Sequence, residues 1–411
     1  MKRFAYLFVL ALLLQAAFSS CEKEDKTEKT VAVESVSLDQ PYLDLMIGET
    51  ATLKATVLPY HATKKKVTWS SSAPEVASVS GYGQVKALRE GSATIIATAG
   101  AKKAECEVTV KSQDTPVTDS FPVDVVKALH QESSLIRTLR NSVTYSPHDN
   151  VTVTELQYVD YSGNNQAAFV MQVNLADPRI SITNTTPGDT DFTADHVQRQ
   201  KLSEQFKLVD KAGNRVLGGV NTDFFTTSGT YAGRPSSPLW HNGVCYRDVF
   251  ASEANRPRCF VWWGDDEHVH MGHSSDYPAA KATGKIKELF SGGQILIENG
   301  KVTSFMEDSV YGTHPRTMFG FTSDDRHIVL VVFDGRQSSW SVGVNYPDMQ
   351  LFMKAIGCHW AFNIDGGGSS TFIVRKDGSS FTDGSRFQVK NKPSDGSERA
   401  IGPGLAVVSV D

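Results

Sequence analysis

Asn363-Ile364-Asp365-Gly366-Gly367-Gly368-Ser369-Ser370-Thr371 lies between two apolar runs, Trp360-Ala361-Phe362 and Phe372-Ile373-Val374. Apolar runs of this length read as buried strands, so the segment between them joins two strands of a core. Three consecutive glycines cost more backbone entropy than any other triplet. They are retained where a backbone must turn sharply or another group must approach it closely. A carboxylate precedes them and three hydroxyls follow, which gathers an acid and a row of donors around one point.

The same design recurs along the chain, with polar groups placed where an apolar run ends. Gly218-Gly219-Val220 leads into Asn221-Thr222-Asp223-Phe224-Phe225, and His314-Pro315 into Arg316-Thr317. The run His327 to Phe333, read as a central strand, ends at Asp334-Gly335-Arg336, and Asn391 to Arg399 precedes the last apolar run. Loops on a rigid sheet commonly carry a site. Around these strands the spacing predicts helices over Val125 to Leu139, from Thr193 to about Val209, and from Tyr346-Pro347 to Gly357. Asn150 to Asp160 and Gln166 to Asn174 read as a hairpin turned at Ser162-Gly163-Asn164. Residues 123–411 therefore read as one large α+β domain with mixed β-sheets and flanking helices.

A chain of 411 residues with a net charge of -5 and 40% apolar residues has room for more than one domain. No basic stripe with interleaved aromatics is present, which argues against a nucleic-acid partner. Residues 31–111 break into short alternating runs separated by Gly and Pro, the pattern of an all-β sandwich. Val36-Ser37-Leu38-Asp39, Ala55-Thr56-Val57-Leu58-Pro59, Val67-Thr68-Trp69-Ser70-Ser71-Ser72 and Glu90-Gly91-Ser92-Ala93-Thr94-Ile95 carry a resemblance to bacterial Ig-like domains of group 2. That resemblance implies a spacing or adhesive module and makes Trp69 a core residue. Residues 112–122 are a polar, Pro-containing linker.

The first 21 residues read as a targeting segment. Lys2-Arg3 opens it, an apolar run follows from Phe4 to Phe18, and Ser19-Ser20 precedes Cys21. This resembles a bacterial lipoprotein signal, which implies lipidation at Cys21. Phe18 stands where Leu is usual. Residues 22–30 read as a charged tether, and Cys21-Glu22-Lys23-Glu24-Asp25 resembles a tag for the outer face of a Gram-negative cell. The expected location is the outer membrane, facing the exterior. Among the other cysteines, Cys245 and Cys259 are close enough in sequence for a bridge that spacing alone does not establish. No CxxC pair indicates zinc.

The strand-end motifs, taken in order, resemble the phosphodiester glycosidase family, the group containing the lysosomal "uncovering" enzyme that removes N-acetylglucosamine from a sugar phosphodiester. The matching residues are Asn221 with Phe224-Phe225, Arg316-Thr317 with Gly320, Asp334-Gly335-Arg336, Ser341-Val342-Gly343, Asn363 with Asp365 to Ser370, and Asn391 with Pro393, Glu398 and Arg399. The family often has Asn-Gly-Gly-Phe-Phe where this chain has Asn221-Thr222-Asp223-Phe224-Phe225, so the substrate is open. The resemblance implies a hydrolase of a sugar-1-phosphodiester. Arg316 suits the phosphate, because a guanidinium stays charged and grips two oxygens. Amides of Gly366, Gly367, Gly368 and Ser369 offer an anion nest. The carboxylates for the anomeric centre are Asp365 and Asp223, with Asp334 third. Asn221, Thr317, Asn363, Ser370 and Arg399 complete the expected substrate-binding set.

No Lys follows the glycine loop in the Walker pattern, which disfavours a nucleotide triphosphatase. No cofactor is expected, although Asp334 or Asp365 with backbone oxygens would suit calcium. Asp265, Asp266, Glu267, His268, His270 and His273 form a second cluster that reads as a solvated acidic loop rather than a metal site. The rival function is a non-catalytic, glycan-binding or adhesive surface lipoprotein.

Overall fold

The computed structural model describes residues 30–411 apart from 47–48, 90, 112–120, 134, 194–195, 251–257, 267 and 305–311. The targeting segment, Cys21, nearly all of the tether, most of the linker and Glu267 lie outside the described residues. The chain forms two compact units, Met1–Thr115 and Pro116–Asp411.

The first unit is a β-sandwich. One sheet orders Tyr42–Met46, Lys102–Lys111, Gly91–Ala99 and Thr68–Ser71, and a three-stranded sheet holds Thr50–Thr52, Gln84–Ala87 and Ala77–Val79. Alternation sends Leu43, Val85, Ile95 and Val108 into the core between them. Trp69 packs against that core, and a Cβ on Gly83 would stand 2.8 Å from its ring. Leu53, between the strands Thr50–Thr52 and Ala55–Leu58, is almost fully buried.

The second unit is built on three larger antiparallel sheets. The first has eight strands in the order Thr138–His148, Val151–Val159, Asn165–Asn174, His327–Phe333, Arg316–Phe321, Trp360–Ile364, Ile295–Glu298 and Lys301–Val302. The second has Ile180–Thr185, Gly404–Ser409, Arg215–Asn221, Phe372–Arg375 and Phe387–Val389. The third has Val244–Arg247, Leu239–His241, Glu288–Gly292, Cys259–Trp263 and Val269–His273. A core rich in aromatics joins residues of all three, among them Phe169, Phe319, Phe362, Phe372, Val220, Leu405, Val261 and Phe290. Burying each Phe contributes about 1.5–3 kcal/mol. The opposite face of the eight-stranded sheet is covered by the helices Val125–Glu132 and Tyr346–Ala355.

The helix from Tyr346 follows its sequence signals. The Asn345 side chain accepts from the Asp348 amide, Pro347 sits in the first turn, and Gly357 closes the end at φ +87. Met349, Phe352, Met353 and Ile356 are fully buried. Two expected helices are shorter. The first stops at Glu132, because Ser133 turns extended and its hydroxyl donates to the Leu129 carbonyl. Leu135 and Ile136 then enter the core, and Thr138–His148 continues as a strand. The second begins at Leu202, after the short strand Gln200–Lys201, and Glu398 accepts from both the amide and hydroxyl of Ser203 in its first turn. Cys245 and Cys259 are free thiols.

Candidate active site

The strand ends named by the sequence converge through register. Thr317 pairs with Ile364 and Arg316 with Phe333, which brings Arg316, Asp334 and Asp365 to one end of the eight-stranded sheet. Asn221 ends the neighbouring strand of the five-stranded sheet, opposite Gly404. Its side chain fastens the two sheets together. Nδ2 donates to the Asp365 carbonyl at 2.6 Å, while Oδ1 accepts from the Thr317 hydroxyl at 3.0 Å and the Thr371 amide at 3.1 Å. The Asp365 amide returns a bond to the Thr222 carbonyl at 2.9 Å, and Thr317 Oγ1 lies 3.3 Å from Ser370 Oγ. Asn221 and Thr317 are buried within this lattice, so they hold the floor of the site rather than presenting groups to a ligand.

Asn363 faces the Gly292–Gly293 turn, where its Oδ1 accepts from the Gln294 amide at 2.6 Å. The Asp334 carboxylate accepts from Trp340 Nε1, the Lys392 amide and Asn391 Nδ2 at 2.8, 2.8 and 3.0 Å. Both oxygens are engaged, and the carboxylate ties three loops together. Arg316 lies on the helix-covered face. Its guanidinium donates to the carbonyls of Gly312 and Val344 and sits 4.7 Å over the Tyr346 ring.

Each glycine of the triplet answers to a neighbour. A Cβ on Gly366 would stand 2.8 Å from the Pro315 carbonyl oxygen, and one on Gly368 would overlap the Arg399 guanidinium. Gly367 adopts φ +62, and Arg336 Nη1 lies 3.3 Å from where its Cβ would be. The loop is therefore shaped to receive two guanidiniums. Arg399 is paired with Asp395 at 2.6 Å and donates to Ser369 Oγ at 3.4 Å. The amides are largely spoken for. Gly367 donates to Pro315, Ser369 to Gly366 and Ser370 to Gly367, while the Gly366 amide favours the ionised Asp365 carboxylate. The expected anion nest has few donors left.

Two carboxylates stand together at this end. Burial pushes the Asp365 carboxyl up to about 6, against the opposing help of the Ser369 hydroxyl, the Gly366 amide, Arg399 and Arg258. Burial pushes Asp223 up to about 7, with the Asp365 charge adding to the rise and Arg258 opposing it. The Asp223 side chain is 0% exposed. It accepts from the Phe224 amide at 2.7 Å and the Ser237 amide at 2.9 Å, and Arg258 Nη1 lies 3.5 Å away. As a residue Asp365 is half-buried, whereas Asp223 is buried throughout.

Arg258 was missed in the sequence, yet the signal was present. It immediately precedes the apolar strand Cys259–Trp263, which is the strand-end rule that identified the other positions. In the acidic cluster, His270 stacks on Trp262 at 4.2 Å and pairs with Asp266, and His273 pairs with Glu298. Among the described residues, no group of three or more His, Cys, Asp or Glu is placed to hold a metal ion.

The chain is thus a two-unit β-protein, in which an antiparallel β-domain holding two neighbouring buried carboxylates follows a β-sandwich in sequence. Comparison gives the families: residues 214–408 match the phosphodiester glycosidase family and residues 32–110 the bacterial Ig-like domain (group 2). The chain carries a phosphodiester glycosidase domain behind a group 2 Ig-like domain.

Among similar proteins, a kappa-carrageenase of Pseudoalteromonas carrageenovora is 51% identical over 65 residues, 16% of each chain. The SPbeta prophage-derived protein YomE of Bacillus subtilis is 28% identical over 165 residues, which cover 39% of this chain and 23% of YomE. The chain thus spans less than a quarter of either relative. Among solved structures, the catalytic domain of zebrafish N-acetylglucosamine-1-phosphodiester alpha-N-acetylglucosaminidase superposes with a TM-score of 0.47 at 20% identity, over 65% of this chain and 87% of that one.

Proposed function

We propose that the second unit hydrolyses a sugar-1-phosphodiester, with Asp365 acting at the anomeric carbon. The observation that carries this reading is the pairing of Asp365 and Asp223, two carboxylates raised toward neutrality by burial in one site. Such perturbed pairs mark sites of acid–base and charge-stabilising chemistry. In the reaction, the bond from C1 to the phosphate oxygen breaks and its electrons leave with the phosphate. A water oxygen then bonds C1. The Asp365 carboxylate faces the positive charge that builds at C1 and takes the proton of the attacking water. A phosphate is a good leaving group, so a second acid is dispensable. Asp223 is a positioning residue: it is enclosed and it fixes Arg258, while burial keeps Asp365 basic enough to act near neutral pH.

Asn221, Thr317, Asn363 and Asp334 hold the loops, and Arg316 anchors the Pro315–Arg316 backbone against which Gly366 turns. The sugar lies over the glycine loop within reach of Ser369 and Arg399. The reading extends to the cell: Cys21 is lipidated, and the Ig-like unit spaces the enzyme from the outer membrane. Incubating the protein with N-acetylglucosamine-1-phosphodiesters, a nucleotide sugar among them, and assaying free sugar tests the proposal. Release lost in Asp365→Asn supports it. Binding without release would establish the glycan-binding alternative.

A further inference from the structure

Asp223 is flanked by more positive charge than its pairing with Arg258 uses. The chain leaves the strand at Asn221, makes a narrow hairpin closed by bonds from Ser236 to Phe224 and from Thr226 to Arg234, and returns so that the Ser237 amide meets Asp223. Arg234 therefore stands three residues before an Asp223 ligand. Arg247 pairs across the next two strands with Leu239, two residues after Ser237. Arg234 stacks on the Tyr231 ring at 4.5 Å. Among the described residues neither guanidinium has an ion-pair partner, and the Nε of each is buried without a hydrogen-bond acceptor. Burial, and behind it the charge of Arg234, hold the Arg247 guanidinium below its ordinary value, so the two cations are a standing cost to the fold. A bound anion removes that cost and supplies the missing acceptors.

Resting on the reading above, we propose that Arg234 and Arg247 form the subsite for the phosphate of the substrate, beside Asp223. Planar donor forks suit a tetrahedral phosphate, and the free amides near Gly366 are too few to do so alone. Electrons leaving C1 would thus flow toward these two arginines, while Asp365 faces the sugar.

The test uses inorganic phosphate as the probe, so it does not depend on catalysis. Affinity is measured by calorimetry on the full chain and on Arg234→Gln, Arg247→Gln and Arg336→Gln. The first two should each weaken phosphate about tenfold or more, and the third should leave it unchanged. Thermal unfolding without phosphate should be unaltered or slightly higher in Arg234→Gln and Arg247→Gln, since each removes repulsion. Arg247→Lys, which keeps the charge, should bind with intermediate affinity. Undiminished binding in both Gln variants, binding lost in Arg336→Gln instead, or no binding to the parent chain would overturn the subsite. If phosphate binds through the two arginines and the parent still releases no sugar from any diester, the hydrolase reading falls and the subsite stands.

Discussion

Asp365 and Asp223 differ in enclosure: Asp365 is a half-buried residue at the glycine loop, and Asp223 is buried throughout. Asp365→Asn removes the charge without removing volume, and it should abolish sugar release, by about 10³-fold or more, while circular dichroism stays unchanged. If Asp365 acts ionised, kcat/KM should climb as pH rises through about 6. Asp223→Asn frees Arg258, whose charge already favours the ionised Asp365 carboxylate, so the acid limb of the pH–rate profile should move to lower pH. The same shifts bear on stability. Both folded values lie above the ordinary 3.8. Their contribution is therefore complete below about 3.8 and lost as pH rises through about 6 to 7. Denaturant midpoints measured from pH 4 to 8 should decline less in the Asp223→Asn, Asp365→Asn double variant than in the parent. At this scale the sequence was informative about residue type and poor about direction. Asp365 was legible because glycines announced its loop. Arg316 was legible as a strand-end cation, but its alternation with Thr317 sends its guanidinium to the helix side, and a one-dimensional pattern does not say which face will hold the site.

At the scale of elements, the site is a consequence of where strands stop. Five strand ends meet because Asn221 joins two sheets by three side-chain bonds. Asn221→Ala would leave a buried amide and carbonyl without partners and cut the Thr317 hydroxyl back to its Ser370 contact, each loss worth about 1 kcal/mol or more. It should lower the unfolding free energy by about 3 kcal/mol, read from urea titration, and reduce sugar release through displacement of Asp365. Strands were easier to foresee than helices. The run His327 to Phe333 is apolar on both faces and could only be central. The stretch after Val125 has helical spacing through Leu139, but Ser133 diverts its backbone, and the rest is claimed by an open edge of the large sheet. Tertiary demand overrode local pattern there.

For the whole molecule, the two units differ in what they are asked to do. The Ig-like unit has a self-contained core, so a chain trimmed to residues 121–411 should release sugar from a small soluble diester with kcat/KM within about twofold of the parent. An effect confined to polymeric or cell-bound substrate would show that the Ig-like unit serves reach. Cys21→Ser should shift the protein from the membrane pellet to the soluble fraction of the cell. The order of the families was legible because their motifs recur in fixed sequence along the chain. The arginines beside Asp223 were not, since Arg234, Arg247 and Arg258 come from three segments that only the hairpin and the third sheet bring together.

The fastening at Asn221 has a practical corollary for anyone wishing to alter what this protein accepts. A pocket whose base is stitched between two β-layers has no hinge along that seam, so it does not gape to admit a larger guest. Change is instead best made in the rim, in the excursions after Asp223 and after Asp334. Exchange of those rims between relatives should transplant preference for a leaving group while the stitched base passes unchanged from one recipient to the next.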